Sequence, residues 1–407
     1  MSEFEKKIYE EVLRDHPAVV ALRRDLHRHP EIAREEFRTQ ARIEEELDQI
    51  GLEHWRSAGT GVMARLTGTK EAAVLPAEDG RPRCMVLRAD IDALPVNEEH
   101  ECEYKSEIPN RMHACGHDGH TATLIGAARL LAAHKDLFAG TILFAFQPAE
   151  EIGYGGLAMV GEGQIDEGTR SFGYHMAPEY SVGQVALVYG PYNASVDWFR
   201  ITVKGLGAHV SKPHQGIDAL YIGSQIVVGL QALVTRMSSP MENLLIGIGI
   251  FRSGTAYNVL ADHAELEGTV RSLDPKLRIQ TIERIERLAK NTAAIYGGEA
   301  EVEWGDHYTP VLINDKASTK EAQKVAFSLF GEKNVITESE ASLGGDDMAV
   351  FINRVPGCYA SIGSCDPNLP ESAHSLHHPS FDIGEDCLVT SVSLTVCYAL
   401  AYMNGEV

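Results

Sequence analysis

The feature that most constrains the fold is a change of sequence pattern part-way along the chain. Before about residue 190, short apolar segments typical of strands buried on both faces alternate with helical patterns. The strand-like segments are 61–66, 84–89, 141–146 and 173–175, and a helical pattern covers 119–133. Strands that alternate with helices predict an α/β sheet lying between helical layers.

The middle of the chain has a different pattern. Residues 197–204 alternate, with Phe199, Ile201 and Val203 on one face of a half-buried strand. A helix, two strands, a helix and a strand follow, and this βαββαβ order predicts a ferredoxin-like sandwich. These segments are 216–236, 244–252, 263–273, 275–296 and 300–304.

The α/β pattern returns after residue 306, and the chain ends in an apolar helix at 387–403. We therefore predict a catalytic domain with a mixed sheet between helices, formed by residues 1–189 and 305–407. An inserted α+β domain, residues 190–304, interrupts it.

Composition excludes several classes of partner. The chain has 407 residues, with 58 acidic against 36 basic ones and a formal net charge of −22. That charge argues against nucleic acid, whose binding requires basic residues that displace counterions, and against a polybasic membrane anchor. We find no run of eighteen apolar residues and no signal-peptide core, so we expect no membrane partner. The seven cysteines form no CxxC pair, which favours a reducing cytoplasm.

The densest group of polar side chains is at 112–120, which contains three histidines, a cysteine and an aspartate. Imidazole nitrogen and thiolate sulfur are good ligands for Zn²⁺ and other first-row metals. Cys115 and His117 are two residues apart, so in an extended segment both side chains point the same way. His120 then begins the helical pattern. The group predicts a metal site.

A pair of carboxylates, Glu150 and Glu151, follows the buried strand 141–146 and precedes a glycine-rich loop. The pair should lie at the carboxyl edge of the sheet, where ligands bind in open α/β sheets. Adjacent carboxylates repel each other and lose hydration there, so they need a cation or a proton between them. One carboxylate could therefore bind metal while the other handles a proton.

Weaker signals lie at other strand ends. Asp90 and Asp92 follow another buried run, and they could ligate metal or orient ligand histidines. His175, the segment 374–381 and the segment 344–348 add candidate donors to the same domain. In the inserted domain the polar features are His209, the loop 254–258 and Arg271, and a lone histidine there is usually structural.

In their order along the chain, these motifs resemble the M20 metallopeptidase family, in its aminoacylase/amidohydrolase branch. The resemblance covers nearly the whole chain, and the CGHD and PAEE elements are its most specific parts. The matching segments are 87–96, 112–122, 146–151, 174–175, 203–214, 256–274 and 376–382.

The resemblance implies a role for each of eleven residues. The implied ligands of two divalent metals are Cys115, His117, Glu151, His175 and His377. Glu150 would be the general acid/base, with Asp92 and Asp118 as supporting groups. His209 and Asn258 of the inserted domain would reach substrate across a homodimer interface, and Arg271 would bind the substrate's carboxylate.

Four positions depart from the family pattern. Asp346 stands where the family commonly has glutamate, and it is one methylene shorter. His378 stands where relatives often have serine or asparagine, which could put a second imidazole near the pocket. Val210 and Ser211 replace the small residues that often follow the lid histidine.

The resemblance implies a metal-dependent amidohydrolase that cleaves the amide bond of N-acyl amino acids or related small amide conjugates. Two divalent ions, Mn²⁺ or Zn²⁺ with Co²⁺ or Ni²⁺ as further candidates, would activate the attacking water, and Glu150 would move its proton.

Two alternatives stay open. A dipeptidase, a carbamoylase or a hydrolytic deaminase could use the same scaffold. A non-catalytic metal-dependent binding protein is more remote, because pure binding does not need the base Glu150 beside Glu151.

Overall fold

The computed structural model describes residues 1–407, which divide into two compact units. Unit 1 comprises Met1–Gly190, Ile313–Glu340 and Asp347–Val407, and unit 2 comprises Pro191–Leu312 and Ala341–Asp346. The sequence prediction placed the boundaries at 189/190 and 304/305 and gave 341–346 to the catalytic domain. That short segment belongs to unit 2 because the backbone N–H of Ala194 donates to the carbonyls of Ser342 and Gly344, at 3.0 and 2.9 Å.

The strands and helices are numbered in chain order. The strands are β1 (Glu53–Ser57), β2 (Gly61–Thr67), β3 (Cys84–Asp90), β4 (Thr141–Gln147), β5 (Arg170–Ser181), β6 (Val185–Ala186), β7 (Gly190–Asn193), β8 (Ser195–Lys204), β9 (Leu244–Ser253), β10 (His263–Ser272), β11 (Glu299–Trp304), β12 (Leu312–Asn314), β13 (Val335–Ile336) and β14 (Gly357–Cys365). The helices are α1 (Glu3–Arg28), α2 (Phe37–Ile50), α3 (His117–Ala133), α4 (Gly155–Gly161), α5 (Ala219–Arg236), α6 (Pro275–Ile295), α7 (Lys316–Phe330), α8 (Met348–Arg354) and α9 (Cys387–Asn404).

Unit 1 is built on an eight-stranded mixed sheet in the order β1-β2-β4-β3-β5-β14-β6-β13. Strands β4, β3, β5 and β14 are parallel neighbours, so their carboxyl ends share one edge. The register pairs Asp90 with Gln147 and Leu87 with Phe172, which brings His175 of β5 to the level of Asp90. This mixed sheet confirms the predicted fold class of the catalytic domain.

Helices α3 and α9 pack in the core of unit 1, and nearly every residue of both is buried. Helices that are apolar all round belong in a core. By length and composition, α9 could also cross a membrane, but 89% of that segment is buried inside the protein, as in a core helix.

The apolar residues at helical spacing after Pro17 predict a helix that begins there. Helix α1 instead begins at Glu3, where Ser2 and Glu5 form a capping box, and continues through Pro17. Proline inside a helix removes a hydrogen bond. Buried residues on both sides of the proline, including Val12 and Val19, explain why tertiary packing maintains the helix.

Unit 2 has the predicted ferredoxin-like topology. Its antiparallel sheet has the order β11-β8-β10-β9, and α5 and α6 cover one face. Phe199, Ile201 and Val203 are fully buried beneath these helices, as the alternation in β8 predicts. The other sheet face carries ion-paired charges such as Arg200, Arg252 and Glu265. Strands β7 and β12 form a separate two-stranded sheet.

Candidate metal centre

The carboxyl edge of the unit 1 sheet collects donor side chains from several segments. His117 is the first residue of α3, and Gly116 before it has a φ of +83°, a backbone conformation that favours glycine. Sγ of Cys115 lies 3.4 Å from Nε2 of His175. Donor atoms of Cys115, His117 and His175 all lie within 4.8 Å of one another.

A second donor set shares Cys115 with the first. One donor atom each from Cys115, Glu151 and His377 lie within 4.8 Å of one another. Oε1 of Glu151 is 3.5 Å from Nε2 of His377 and 3.9 Å from Nε2 of His117. The structure therefore brings together all five residues that the family resemblance implies as ligands, in two sets that share the Cys115 sulfur.

The residues present fit divalent cations. Nε2 of His117 and Oε1 of Glu151 are buried and have no hydrogen-bond partner, and leaving such atoms unmatched is costly. Thiolate, imidazole and carboxylate together are a donor set for zinc and related metals. Cys115, His117, Glu151, His175 and His377 are the candidates to hold the two ions.

Asp92 fixes the geometry of both the histidine and the carboxylate pair. The backbone N–H groups of Glu150 and Glu151 donate to its two carboxylate oxygens, each at 3.1 Å. Nδ1 of His117 is 2.9 Å from the backbone carbonyl of Asp92. A proton on Nδ1 leaves the lone pair of Nε2 directed at the donor sets, the usual arrangement for a metal-binding histidine.

The turn before the carboxylates has an unusual backbone conformation. Ala149 has a φ of +52°, which a non-glycine residue adopts only when its surroundings require it. Its N–H donates to Oε1 of the buried Glu36 at 2.8 Å, and Thr60 donates to the other oxygen of that carboxylate. Sequence reasoning did not find Glu36, which lies more than a hundred residues earlier in the chain.

Arg88 and Asp347 form a buried framework beneath the same turn. The Arg88 guanidinium donates to Gln147, Asp90 and Asp347 at 2.8, 2.7 and 2.7 Å. Asp347 also accepts from the N–H of Gly156 at 2.8 Å. The sequence showed both residues inside its motifs, but their mutual contact spans 259 positions.

His120 lies close by and is not a good ligand candidate. Its Nδ1 is 2.5 Å from a carboxylate oxygen of Asp90, and its Nε2 accepts from the N–H of Met176 at 2.9 Å. Both ring nitrogens are therefore engaged within the protein.

The electrostatics of the site favour positive charge. Burial alone would lower the pKa of His117, but Asp90 and Asp92 outweigh it and raise the pKa to about 10. Burial, with Glu151 and Glu150 nearby, raises the pKa of the Cys115 thiol well above its usual value. A thiolate at Cys115 consequently requires a cation close to its sulfur.

Asp118 has partners other than the ligand candidates. Its Oδ2 accepts from Nε of Arg23 at 2.7 Å and lies 2.8 Å from Nδ1 of His27. Arg23 is 1% exposed and also binds Asp382 at 2.6 Å. Any support that Asp118 gives to His117 therefore acts through the start of α3. Sequence reasoning missed Arg23 because nothing near residue 23 indicates these distant partners.

The structure shows the surroundings of two residues that depart from the family pattern, His378 and Asp346. The His378 ring stacks on that of His374, with ring centroids 4.0 Å apart, and its Nδ1 accepts from the N–H of Ser380. Asp346 is buried and belongs to unit 2, whereas its neighbour Asp347 belongs to unit 1.

The candidate residues of unit 2 have defined local contacts. Nδ1 of the exposed His209 accepts from the N–H of Ser211 at 3.1 Å, which leaves its proton on Nε2. The N–H of Val210 donates to the carbonyl of Asn258 at 3.1 Å, so the histidine and asparagine segments lie side by side. Nη1 of Arg271 donates to the carbonyl of Leu343 at 2.8 Å.

Comparison with known proteins agrees with this geometry. A model of the peptidase family M20/M25/M40 matches residues 86–401. The chain is 36% identical to the N-acetylcysteine deacetylase of Bacillus subtilis over 378 residues, 92% of this chain and 94% of that protein. It is 39% identical to the N-acyl-L-amino acid amidohydrolase of Geobacillus stearothermophilus over 317 residues, 77% of this chain and 82% of that protein.

A solved structure adds the metal count. One similar structure is that of a dinuclear metal-binding peptidase of the M20 family from Bacillus subtilis, with a TM-score of 0.80 and 32% sequence identity. The match covers 96% of this chain and 98% of that protein's chain. The likeness supports two divalent metals here and confirms the predicted family. The chain belongs to the peptidase family M20/M25/M40, as a metal-dependent hydrolase that acts on carbon–nitrogen bonds.

Proposed function

We propose that the chain hydrolyses the amide bond of N-acyl amino acids or related small amide conjugates, with Glu150 as the general acid/base. The observation that carries the proposal is the position of Glu150. Its backbone is tied to Asp92 beside Glu151, and donor atoms of His117, Glu150 and Glu151 lie within 4.8 Å of one another. The named activities of the two relatives above support the substrate class.

Each carboxylate of the pair has its own task in this proposal. Divalent metal ions bound at the site would supply Lewis-acid polarisation of the scissile carbonyl and a lowered pKa for the attacking water. Glu151 belongs to the donor sets. Glu150 takes the proton from the water during attack and later gives a proton to the departing amine.

The resemblance to the family assigns three residues of the inserted unit to the substrate. His209 carries its proton on Nε2, so it can donate to the oxygen that becomes negative in the transition state, with Asn258 as a second donor. Arg271 uses one nitrogen for Leu343 and keeps further N–H donors for a substrate carboxylate.

The donor atoms suit several divalent ions. A thiolate favours the softer Zn²⁺, whereas the carboxylates also suit Mn²⁺, and Co²⁺ or Ni²⁺ suit the mixed set. Activity measured on protein loaded with each ion separately ranks them.

A substrate screen tests the proposed function. N-acyl amino acids, dipeptides and aryl amides are incubated with Mn²⁺- and Zn²⁺-loaded protein, and the released amine is measured. We expect release from the N-acyl amino acids. Release from dipeptides alone would favour the dipeptidase alternative, and release from none of them would contradict the proposal.

We also propose a homodimer formed through unit 2. Strand β9 is an unpaired edge of the sheet with Leu245 partly exposed, and α5 beside it exposes Val228 by 68%. Exposed apolar strand edges are sites of pairing. In sedimentation, Val228→Glu should shift the protein toward monomer, whereas Ile279→Glu on α6 should not. An active wild-type monomer would remove the cross-subunit role of His209.

A reducing cytoplasm is the proposed location, since all seven cysteines are free thiols in the structure.

A further inference from the structure

Three side chains of different donor type lie together in the loop between β3 and α3, apart from the centre at Cys115. Glu98, His100 and Cys102 each offer one donor atom, and the three atoms lie within 4.8 Å of one another. The residues are spaced two apart, so in an extended segment their side chains point the same way. Carboxylate, imidazole and thiolate are all ligands that Zn²⁺ accepts.

Two of the three side chains are held in place. The Glu98 carboxylate is buried, accepts from the N–H of Ser106 at 2.7 Å and lies 3.2 Å from Nε2 of His27. Nδ1 of His100 is buried and makes no hydrogen bond, although an oxygen of Asp382 lies 3.3 Å away. A nitrogen in this position has a lone pair or proton without a well-aligned partner.

The ion-paired network around Glu98 is balanced in charge. Four groups that can carry a positive charge face four carboxylates. The cationic groups are Arg23, Arg24, His27 and His100, whose pKa Asp382 raises, and the carboxylates are Glu98, Asp118, Asp382 and Glu385. The carboxylates around His27 overcome its burial and raise its pKa to about 9, so it counts as a cation.

A metal ion can enter this network without upsetting its charge. Burial raises the pKa of the Cys102 thiol to about 11. A divalent cation that displaces the proton of this thiol and the proton of the His100 ring leaves the net charge of the network unchanged.

We propose that Glu98, His100 and Cys102 bind a third divalent cation of the class represented by Zn²⁺. None of these residues belongs to the donor sets at Cys115. The ion fastens the irregular loop that leads into α3, and α3 begins with the candidate ligand His117. The site is a structural one, so its residues need not touch the substrate.

Metal stoichiometry tests the proposal. Full-length protein is loaded with Zn²⁺, freed of unbound ion by gel filtration, and analysed for zinc per chain. We expect three equivalents in the wild type and two in Cys102→Ser. The matched control is Cys365→Ser, which changes another half-buried free cysteine in unit 1 and should keep all three. Two equivalents in the wild type, or three in Cys102→Ser, would overturn the proposal.

Thiol labelling of the wild type keeps the test decisive even if a variant folds poorly. A soluble alkylating reagent is added with and without excess Zn²⁺, and modification of Cys102 and Cys365 is followed by mass spectrometry. We expect Zn²⁺ to slow the modification of Cys102 and leave that of Cys365 unchanged. Equal rates at Cys102 under both conditions would contradict metal binding there.

Discussion

The fully buried ion pairs of the molecule lie in unit 1, whereas each ion pair of unit 2 keeps at least one side chain in contact with solvent. In unit 1, Arg23 and Arg88 are at most 1% exposed, and each binds two or more buried groups. In unit 2, Arg252 is 64% exposed at the side chain and pairs with Glu265 and Glu267 on the open sheet face. Burying a charge costs desolvation free energy, whereas an ion pair at the surface loses little hydration and contributes little to stability.

The comparison of the two units shows which groups the buried charges surround. The buried pairs of unit 1 lie beside the turn that carries Glu150 and beside α3, which carries His117, so they fix groups that must keep one geometry. The surface pairs of unit 2 fix no candidate group. We infer that function, rather than stability, accounts for the buried charges.

The largest effect is expected at Glu150. Glu150→Gln removes the proton acceptor but keeps the shape of the side chain, so kcat/KM should fall by about 10²- to 10⁴-fold. The metal content should stay at the wild-type value. The control is Glu303→Gln, an exposed carboxylate 3.5 Å from Arg200 in unit 2, which should leave activity unchanged. Near-wild-type turnover in Glu150→Gln would mean that another group handles the proton.

Arg23 should be the next most sensitive position. Arg23→Ala leaves Asp118 and Asp382 buried without their cation, which should reduce the free energy of unfolding by about 3–5 kcal/mol. Arg252→Ala in unit 2 should cost less than about 1 kcal/mol. Urea denaturation, followed separately in each unit by hydrogen exchange, measures both. Equal costs for the two substitutions would remove the contrast between the units.

Metal removal should affect one unit only. A ligand present at about a hundred times its Kd stabilises the folded state by about 2.7 kcal/mol. Chelation should therefore speed amide exchange around residues 113–120 and 147–152 of unit 1. The sheet formed by β8 to β11 should exchange at the same rate as before. Faster exchange throughout unit 2 as well would show that the metal stabilises both units.

Helix caps should show the smallest effects, and these should be similar in both units. Asp315 caps α7 in unit 1 by accepting from the backbone N–H of Ser318, and Asp274 caps α6 in unit 2 by accepting from the backbone N–H groups of Lys276 and Leu277. Either aspartate changed to alanine should cost about 1 kcal/mol. Thermal unfolding of the two variants checks this equality. A much larger cost at Asp315 alone would show that unit 1 is sensitive even at its surface.

Local sequence patterns predicted the βαββαβ elements of unit 2 and several strands and helices of unit 1 within a few residues. The alternation in β8 identified its buried face, and the βαββαβ order identified the topology of unit 2. These signals are local, because the period of apolar residues depends only on neighbouring positions. The residues alone indicated a metal site at 112–120 and candidate donors at strand ends, whereas the five-residue ligand set came from the resemblance to the family.

Long-range contacts could not be predicted in this way. Arg23 lies 359 residues from Asp382, and Glu36 lies 113 residues from Ala149, so no window of sequence contains either pair. Helix α1 continues through Pro17 because packing outweighs the tendency of proline to end a helix. Residues 341–346 belong to unit 2 because carbonyls of this segment accept from the backbone N–H of Ala194.

Anomalous diffraction from crystals of the metal-loaded protein shows whether the five candidate ligands hold two metal ions. Data collected at the absorption edge of the loaded ion locate each bound ion independently of the protein. We expect two peaks within bonding distance of Cys115, His117, Glu151, His175 and His377, with Glu150 close to both. Peaks that avoid these residues, or a single peak at the Cys115 sulfur, would contradict this expectation.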